Sequence, residues 1–247
     1  MSDRPTLGIG DGGLLTSLRT RREMLRLMAV GGVAVFLPSM LTACSDDNGV
    51  GPAAPGTGAP LTIDFARGDI AILQFAYALE QLEADFYIRV VNAFSGAGLS
   101  AAEQAIMVDL RNHEVLHREL FKAALGTANG FTLTPTYPGV SFSNRLSILQ
   151  AAREFEDLGV AAYNGAAQYI SDPGTLTLAG KIVSVEARHA SAIRDLIAPN
   201  STGFAPNAFD DVFRPSVVAS AAQGFITERL TLANGPSTFV QGPNNNG

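Results

Sequence analysis

Two Glu-x-x-His pairs, each in the middle of an otherwise apolar helical stripe, limit what this chain can fold into. The first pair is Glu114 and His117, and the second is Glu186 and His189. Residues three apart on a helix project from the same side, so a carboxylate and an imidazole at this spacing can hold one ion together. Burying these groups without a partner would cost more free energy than a marginally stable domain tolerates. The pattern therefore predicts helices that meet around bound cations.

Four amphipathic segments are predicted to be helices, and strand-like alternation is scarce, so the predicted class is all-α. The helices are expected at about residues 69–94, 100–125, 143–170 and 175–198. Ser100 and Glu103 form a predicted capping box at the start of the second helix. Short links favour antiparallel pairing of the first helix with the second and of the third with the fourth. The longer link at residues 126–142 can cross the whole molecule, which predicts an up-down four-helix bundle with a long crossover between helices 2 and 3.

One glutamate from each of the other two helices completes the predicted site. Glu80 lies at the centre of the first apolar stripe, and Glu156 lies within the third. Each is followed seven residues later by a tyrosine, Tyr87 or Tyr163, so the chain is interpreted as a duplicated hairpin with a pseudo-twofold site between its halves. We expect both tyrosines to be core residues that hydrogen-bond a ligand carboxylate.

Three other ionisable residues compete for places in this site. Glu83 sits about 60° from the centre of the first stripe by helix geometry, and Glu154 turns away from the apolar face of the third helix. Both are therefore expected outside the site. His113 neighbours the second stripe but has no glutamate three residues before it. We expect it to be a surface histidine or one that hydrogen-bonds a ligand.

The sequence around these residues resembles a known family. Residues 79–87, 112–117 and 185–189 are similar to the exported ferritin-like domain family that includes desiccation-related proteins. The resemblance covers about residues 63–198, and it implies a ferritin-like four-helix bundle that holds a di-iron or di-manganese centre.

Carried over by position, the resemblance implies a role for each ligand. Glu80 and His117 would be terminal ligands on one ion, Glu156 and His189 would be terminal ligands on the other, and Glu114 and Glu186 would bridge the two. Four carboxylates and two imidazoles without sulfur favour two Fe or Mn ions per chain over a closed structural zinc site. The choice between iron and manganese stays open.

Residues 1–43 are predicted to be a signal peptide. The paired arginines Arg21 and Arg22 resemble a twin-arginine signal, and the apolar run at residues 27–43 is short and interrupted for a membrane span. The run ends at Cys44 in a sequence that resembles a bacterial lipobox, although an uncleaved anchor helix is the alternative. Cleavage would leave Cys44 lipidated and residues 44–60 as a flexible linker, in a protein exported to the periplasm or cell envelope.

Residues 61–199 are expected to form the helical domain, and residues 200–247 are expected to form an extension that packs on it and ends in a disordered tail. The net charge of −6 argues against a nucleic-acid partner. The single cysteine, Cys44, excludes an internal disulfide framework and a cysteine-based metal site. With Cys44 lipidated, membrane contact is expected through the lipid anchor alone. Homo-oligomer formation is left open.

The predicted function is iron handling or oxygen or peroxide chemistry at the di-metal centre, as a ferroxidase or a peroxidase-like enzyme. A non-catalytic protective bundle used in desiccation or envelope stress, in which metal serves stability alone, is the alternative.

Overall fold

The computed structural model describes residues 58–243, and this part of the chain is mostly helical. The four long helices are α1 (Asp69–Asn92), α2 (Ala101–Asn129), α3 (Arg145–Ala167) and α4 (Pro173–Ile197), and a shorter α5 (Pro215–Gln223) follows. Single-turn 3-10 helices lie at Phe65–Arg67 and Thr202–Phe204. The predicted signal peptide, Cys44, most of the linker and residues 244–247 lie outside the described residues. None of the described helices has the length and apolar character needed to cross a membrane.

The helices begin and end close to the predicted positions because local signals define them. Glu103 N–H donates a hydrogen bond to the Ser100 side chain over 3.3 Å, and Ser100 N–H donates to Glu103 Oε2 over 2.7 Å, so the capping box is confirmed. Helical geometry in α2 is interrupted at Gly126, where φ is 62° and ψ is −173°. The fourth helix begins two residues before the predicted start because Pro173 fits the first helical turn, where its missing N–H leaves no bond unmade.

Helix α1 is buried on nearly all of its sides. It packs chiefly against α2, and α3 packs chiefly against α4. The link between α2 and α3 covers another face of α1: Leu133 N–H donates to the Gln81 side chain over 2.9 Å, and the Tyr137 hydroxyl donates to the Leu82 carbonyl over 2.7 Å. A helix that is apolar nearly all round belongs in the interior, so α1 is the central helix of the domain.

A small parallel sheet departs from the predicted all-α class. Strand β1 (Pro60–Asp64) pairs with β2 (Arg229–Ala233), with Pro60 opposite Arg229 and Asp64 opposite Ala233. Each strand has only five residues, too few for alternation to stand out from the Gly- and Pro-rich sequence before β1. The class is therefore corrected to a mostly helical fold with one two-stranded sheet.

The segment before α5 lies directly on the backbone of α3. Phe213 N–H donates a hydrogen bond to the Ala161 carbonyl over 3.0 Å. A Cβ atom at Gly165 would lie 1.8 Å from the Phe213 carbonyl oxygen, so glycine is needed for this close approach. The contact joins the region after residue 199 to the helix that carries Glu156.

Candidate metal centre

The structure brings all six predicted ligands together in the interior between the four long helices. Helix α1 supplies Glu80, α2 supplies Glu114 and His117, α3 supplies Glu156, and α4 supplies Glu186 and His189. All four glutamates are 0% exposed, and His189 is 4% exposed. Four helices thus place four carboxylates and two imidazoles in one largely buried space, in which His117 is partly exposed.

The ligand atoms form two overlapping groups, and within each group they lie within 4.8 Å of one another. The first group contains Glu80, Glu114, His117 and Glu186, and the second contains Glu114, Glu156, Glu186 and His189. Glu114 and Glu186 belong to both groups. This sharing is what two neighbouring cations bridged by carboxylates require.

Each shared glutamate points one oxygen at each histidine. Glu114 Oε2 lies 3.4 Å from His117 Nδ1, whereas Oε1 lies 2.9 Å from His189 Nδ1. Glu186 Oε1 lies 3.1 Å from His117 Nδ1, and its Oε2 lies 3.9 Å from His189 Nδ1. The two carboxylates therefore span the gap between the two groups.

Each unshared glutamate faces a single histidine with its Oε2 atom. Glu80 Oε2 lies 3.4 Å from His117 Nδ1, and Glu156 Oε2 lies 3.3 Å from His189 Nδ1. Tyrosines hold the other oxygens: the Tyr163 hydroxyl donates to Glu80 Oε1, and the Tyr87 hydroxyl donates to Glu156 Oε1. Each tyrosine thus orients a carboxylate from the opposite half of the duplicated sequence.

Many of these buried atoms have no hydrogen-bond partner within the described part of the chain. They are Glu80 Oε2, Glu114 Oε1, Glu156 Oε2, both Glu186 oxygens and His189 Nδ1. The short distances to His189 Nδ1 do not have hydrogen-bond angles, so proximity alone does not satisfy these atoms. Unpaired buried polar atoms are destabilising, and cations held among them would satisfy the whole set. A sulfur-free set of oxygen and nitrogen donors fits iron or manganese.

The pKa shifts reflect crowded charge in a buried space. Burial acts to lower the pKa of His117, but contacts with Glu114, Glu186 and Glu80 outweigh it and raise the pKa to about 12. Burial likewise acts to lower the pKa of His189, but contacts with Glu114 and Glu156 outweigh it and raise the pKa to about 10. Burial acts to raise the pKa of Glu114, yet its contacts with the two histidines lower it to about 2.

The pKa values of two other glutamates shift in the opposite direction from that of Glu114. Burial, reinforced by the charge of Glu114, raises the pKa of Glu80 and Glu186 well above the usual range. The two imidazoles therefore hold protons at neutral pH that a metal ion would have to displace, and burial favours the protonated form of Glu80 and Glu186.

His113 is exposed and hydrogen-bonds one of the predicted ligands. Its Nδ1 lies 2.9 Å from His189 Nε2, and the two rings stack with 6° between their planes. When Nδ1 of His189 serves as a ligand, the ring proton sits on Nε2, which then donates to His113 Nδ1. Of the two roles expected for His113, the structure supports the one in which it contacts a ligand.

Glu83 belongs to neither group of donors, but it is buried beside them. Helix geometry predicts that it lies off the site-facing stripe; its side chain is 3% exposed, and its Oε1 lies 3.0 Å from where a Cβ atom on Gly159 of α3 would be. The reason is that α1 is covered on several faces, so an offset of 60° does not bring a side chain to solvent. Apolar residues all round α1 were the available signal. Glu154, by contrast, is exposed.

Comparison with known proteins agrees with this geometry. The family model of the ferritin-like domain matches residues 68–199, which is more than half of the chain and includes all six predicted ligands. No curated protein sequence gives a match. The chain belongs to the ferritin-like domain family.

Proposed function

We propose that this chain is an exported di-metal protein that handles iron or reacts with oxygen or peroxide, as a ferroxidase or a peroxidase-like enzyme. The observation that carries the proposal is the pair of overlapping four-donor groups that share Glu114 and Glu186. Two iron or manganese ions held in this way would supply redox chemistry, because both metals change oxidation state. A four-helix bundle with a crossover between α2 and α3 belongs to the same proposal, and the contacts of that link along α1 support it.

The protein's own residues would hold the ions and exclude water. Glu80 and His117 would hold one ion, and Glu156 and His189 would hold the other, with the two shared glutamates between them. Tyr163 and Tyr87 would keep the terminal carboxylates oriented through their hydroxyl groups. Because the four glutamates and His189 are buried, the charges of these donors would act on the ions with little screening by water.

An apolar cavity next to the site supports the part of the proposal in which a small nonpolar molecule reacts there. The cavity has a volume of about 20 Å³ and lies among Phe75, Leu79, Phe121 and Leu178. Tyr163 also lines it, and the hydroxyl of this residue contacts Glu80. An apolar lining favours small apolar molecules over water, and dioxygen is one of them.

Export and lipid anchoring are part of the proposal and rest on the sequence of residues 20–44. Replacing Cys44 by Ser should release the protein from the membrane fraction, because the acylated side chain would be lost. Replacing Arg21 and Arg22 together by Lys should retain the precursor in the cytoplasm. Cell fractionation checks both outcomes, and a wild-type protein found only in the cytoplasm would contradict the proposal.

Metal analysis of natively purified, unchelated protein is the first test of the centre. We expect about two Fe or Mn ions per chain, and fewer than about one would count against the proposal. Glu114→Ala should lose metal because it removes a ligand that both groups share. Glu119→Ala is the matched control, since Glu119 lies on the same helix but is exposed and pairs with Arg118.

Turnover separates this proposal from a protective protein whose metal serves stability alone. Consumption of oxygen or peroxide with added ferrous iron should be high in the wild type and in Glu119→Ala, and low in Glu114→Ala. Wild-type protein that binds its full metal content but turns over no faster than Glu114→Ala would instead support the protective role.

A further inference from the structure

Glu83 is a buried glutamate that is not one of the six predicted ligands. Its Oε2 atom has no hydrogen-bond partner among residues 58–243. The four charged groups that most influence it are all carboxylates, namely Glu186, Glu114, Glu80 and Glu156. A carboxyl group in such surroundings needs either a proton or a cation.

Glu83 and Glu186 both lie against Gly159 of α3. A Cβ atom built on Gly159 would lie 3.0 Å from Glu83 Oε1 and 3.6 Å from Glu186 Oε2. Gly159 follows Glu156 by three residues on α3, so it lies on the side of the helix that faces the centre. Glycine weakens a helix interior, but here its missing side chain leaves room for both carboxylates beside α3.

We propose that Glu83 is a fifth carboxylate ligand of the metal centre, beside Glu186. This inference rests on the proposed binding of iron or manganese. Glu83 is one turn from Glu80 on α1, so the two side chains project toward the same region. Neither group of four donors includes Glu83, so its carboxylate, which lies at the gap beside Gly159, has to turn from there toward Glu186 to bind an ion. A fifth carboxylate adds a negative charge, which favours the higher oxidation state of a bound ion.

Glu83→Gln tests the assignment because it keeps the shape of the side chain and removes its charge. We expect the affinity for Mn²⁺ or Fe²⁺, measured by competition with a chelator, to fall by at least about tenfold. The reduction potential of the iron-loaded protein should shift upward. Glu154→Gln is the matched control, because it removes an exposed carboxylate from α3, and it should change neither quantity.

Gly159→Ala is an independent test, since its Cβ would occupy the space that Glu83 needs. It should lower metal affinity, as Glu83→Gln does. Gly180→Ala on α4 should not, because a Cβ atom added there would meet no neighbouring group within 4 Å. A crystal structure of the manganese-loaded protein, with an anomalous map, should place a Glu83 oxygen within about 2.6 Å of an ion.

The results distinguish this inference from the proposed function. Normal metal uptake by the wild type together with unchanged affinity in Glu83→Gln would overturn the role of Glu83 alone. A Glu83 carboxylate that stays clear of both ions in the metal-loaded crystal would do the same. A wild-type protein that takes up neither iron nor manganese would overturn both.

Discussion

The Tyr163 hydroxyl donates a hydrogen bond to Glu80, so a tyrosine of α3 orients a carboxylate of α1. Tyr87 does the same in the opposite direction, from α1 to Glu156 on α3. In both glutamates the tyrosine contacts Oε1, and Oε2 is left facing a histidine. This crosswise exchange couples the two halves of the site.

Removing one tyrosine hydroxyl should therefore weaken both the fold and the site. Tyr163→Phe leaves Glu80 Oε1 without its donor, and we expect a loss of about 1–3 kcal/mol in the free energy of unfolding. Metal affinity should fall by about 10- to 100-fold, because an outer hydrogen bond that orients a ligand is lost. Denaturant unfolding and chelator competition measure the two effects.

The control for this prediction is Tyr169→Phe. The Tyr169 hydroxyl donates to the Thr238 carbonyl, far from the ligands in sequence, in an exposed contact. This variant should keep its metal affinity. An equal loss of affinity in the two variants would show that the Tyr163 hydroxyl has no specific role.

His113 should contribute to metal binding even though it is exposed. When His189 Nδ1 binds an ion, its Nε2 proton is donated to His113 Nδ1, 2.9 Å away, so His113→Ala removes that acceptor and should lower metal affinity by about tenfold. His113→Gln should restore part of the loss because its side-chain oxygen can accept the same hydrogen bond. Identical affinities in the wild type and His113→Ala would contradict the prediction.

Metal affinity should rise with pH. The pKa of His117 is raised to about 12 and that of His189 to about 10, so both imidazoles are protonated at neutral pH until an ion displaces the protons. Raising the pH lowers the cost of removing these protons, and binding strengthens. Calorimetry in buffers of different ionisation enthalpy should detect proton release at pH 7, and affinity that does not vary between pH 6 and pH 8 would contradict the prediction.

Two glycine substitutions should change stability in opposite directions. Gly165→Ala places a Cβ against the Phe213 carbonyl, and overpacking of this kind should cost at least about 1–3 kcal/mol. Gly180→Ala, at an exposed position inside α4 with open space around it, should instead stabilise the protein by about 0.5–1 kcal/mol. Denaturant unfolding checks both, and equal stability of the two variants would contradict the close approach at Gly165.

The sequence by itself determined the helices and the spacing of ligands within them. Pairs such as Glu114 and His117 are set by the pitch of a single helix, and the cap at Ser100 is set by the next three residues, so both are local properties. Because these properties are local, the apolar stripes of the four predicted helices already indicate the six converging residues.

Only the tertiary structure decided which other residues are buried beside them. Glu83 is buried because α3 packs against it at Gly159, where an added Cβ atom would lie 3.0 Å from Glu83 Oε1, and no local pattern specifies that contact. Likewise β1 is a strand because β2, far away in sequence, supplies its hydrogen bonds. Burial and strand pairing depend on contacts between distant segments, so a helix-by-helix interpretation does not reveal them.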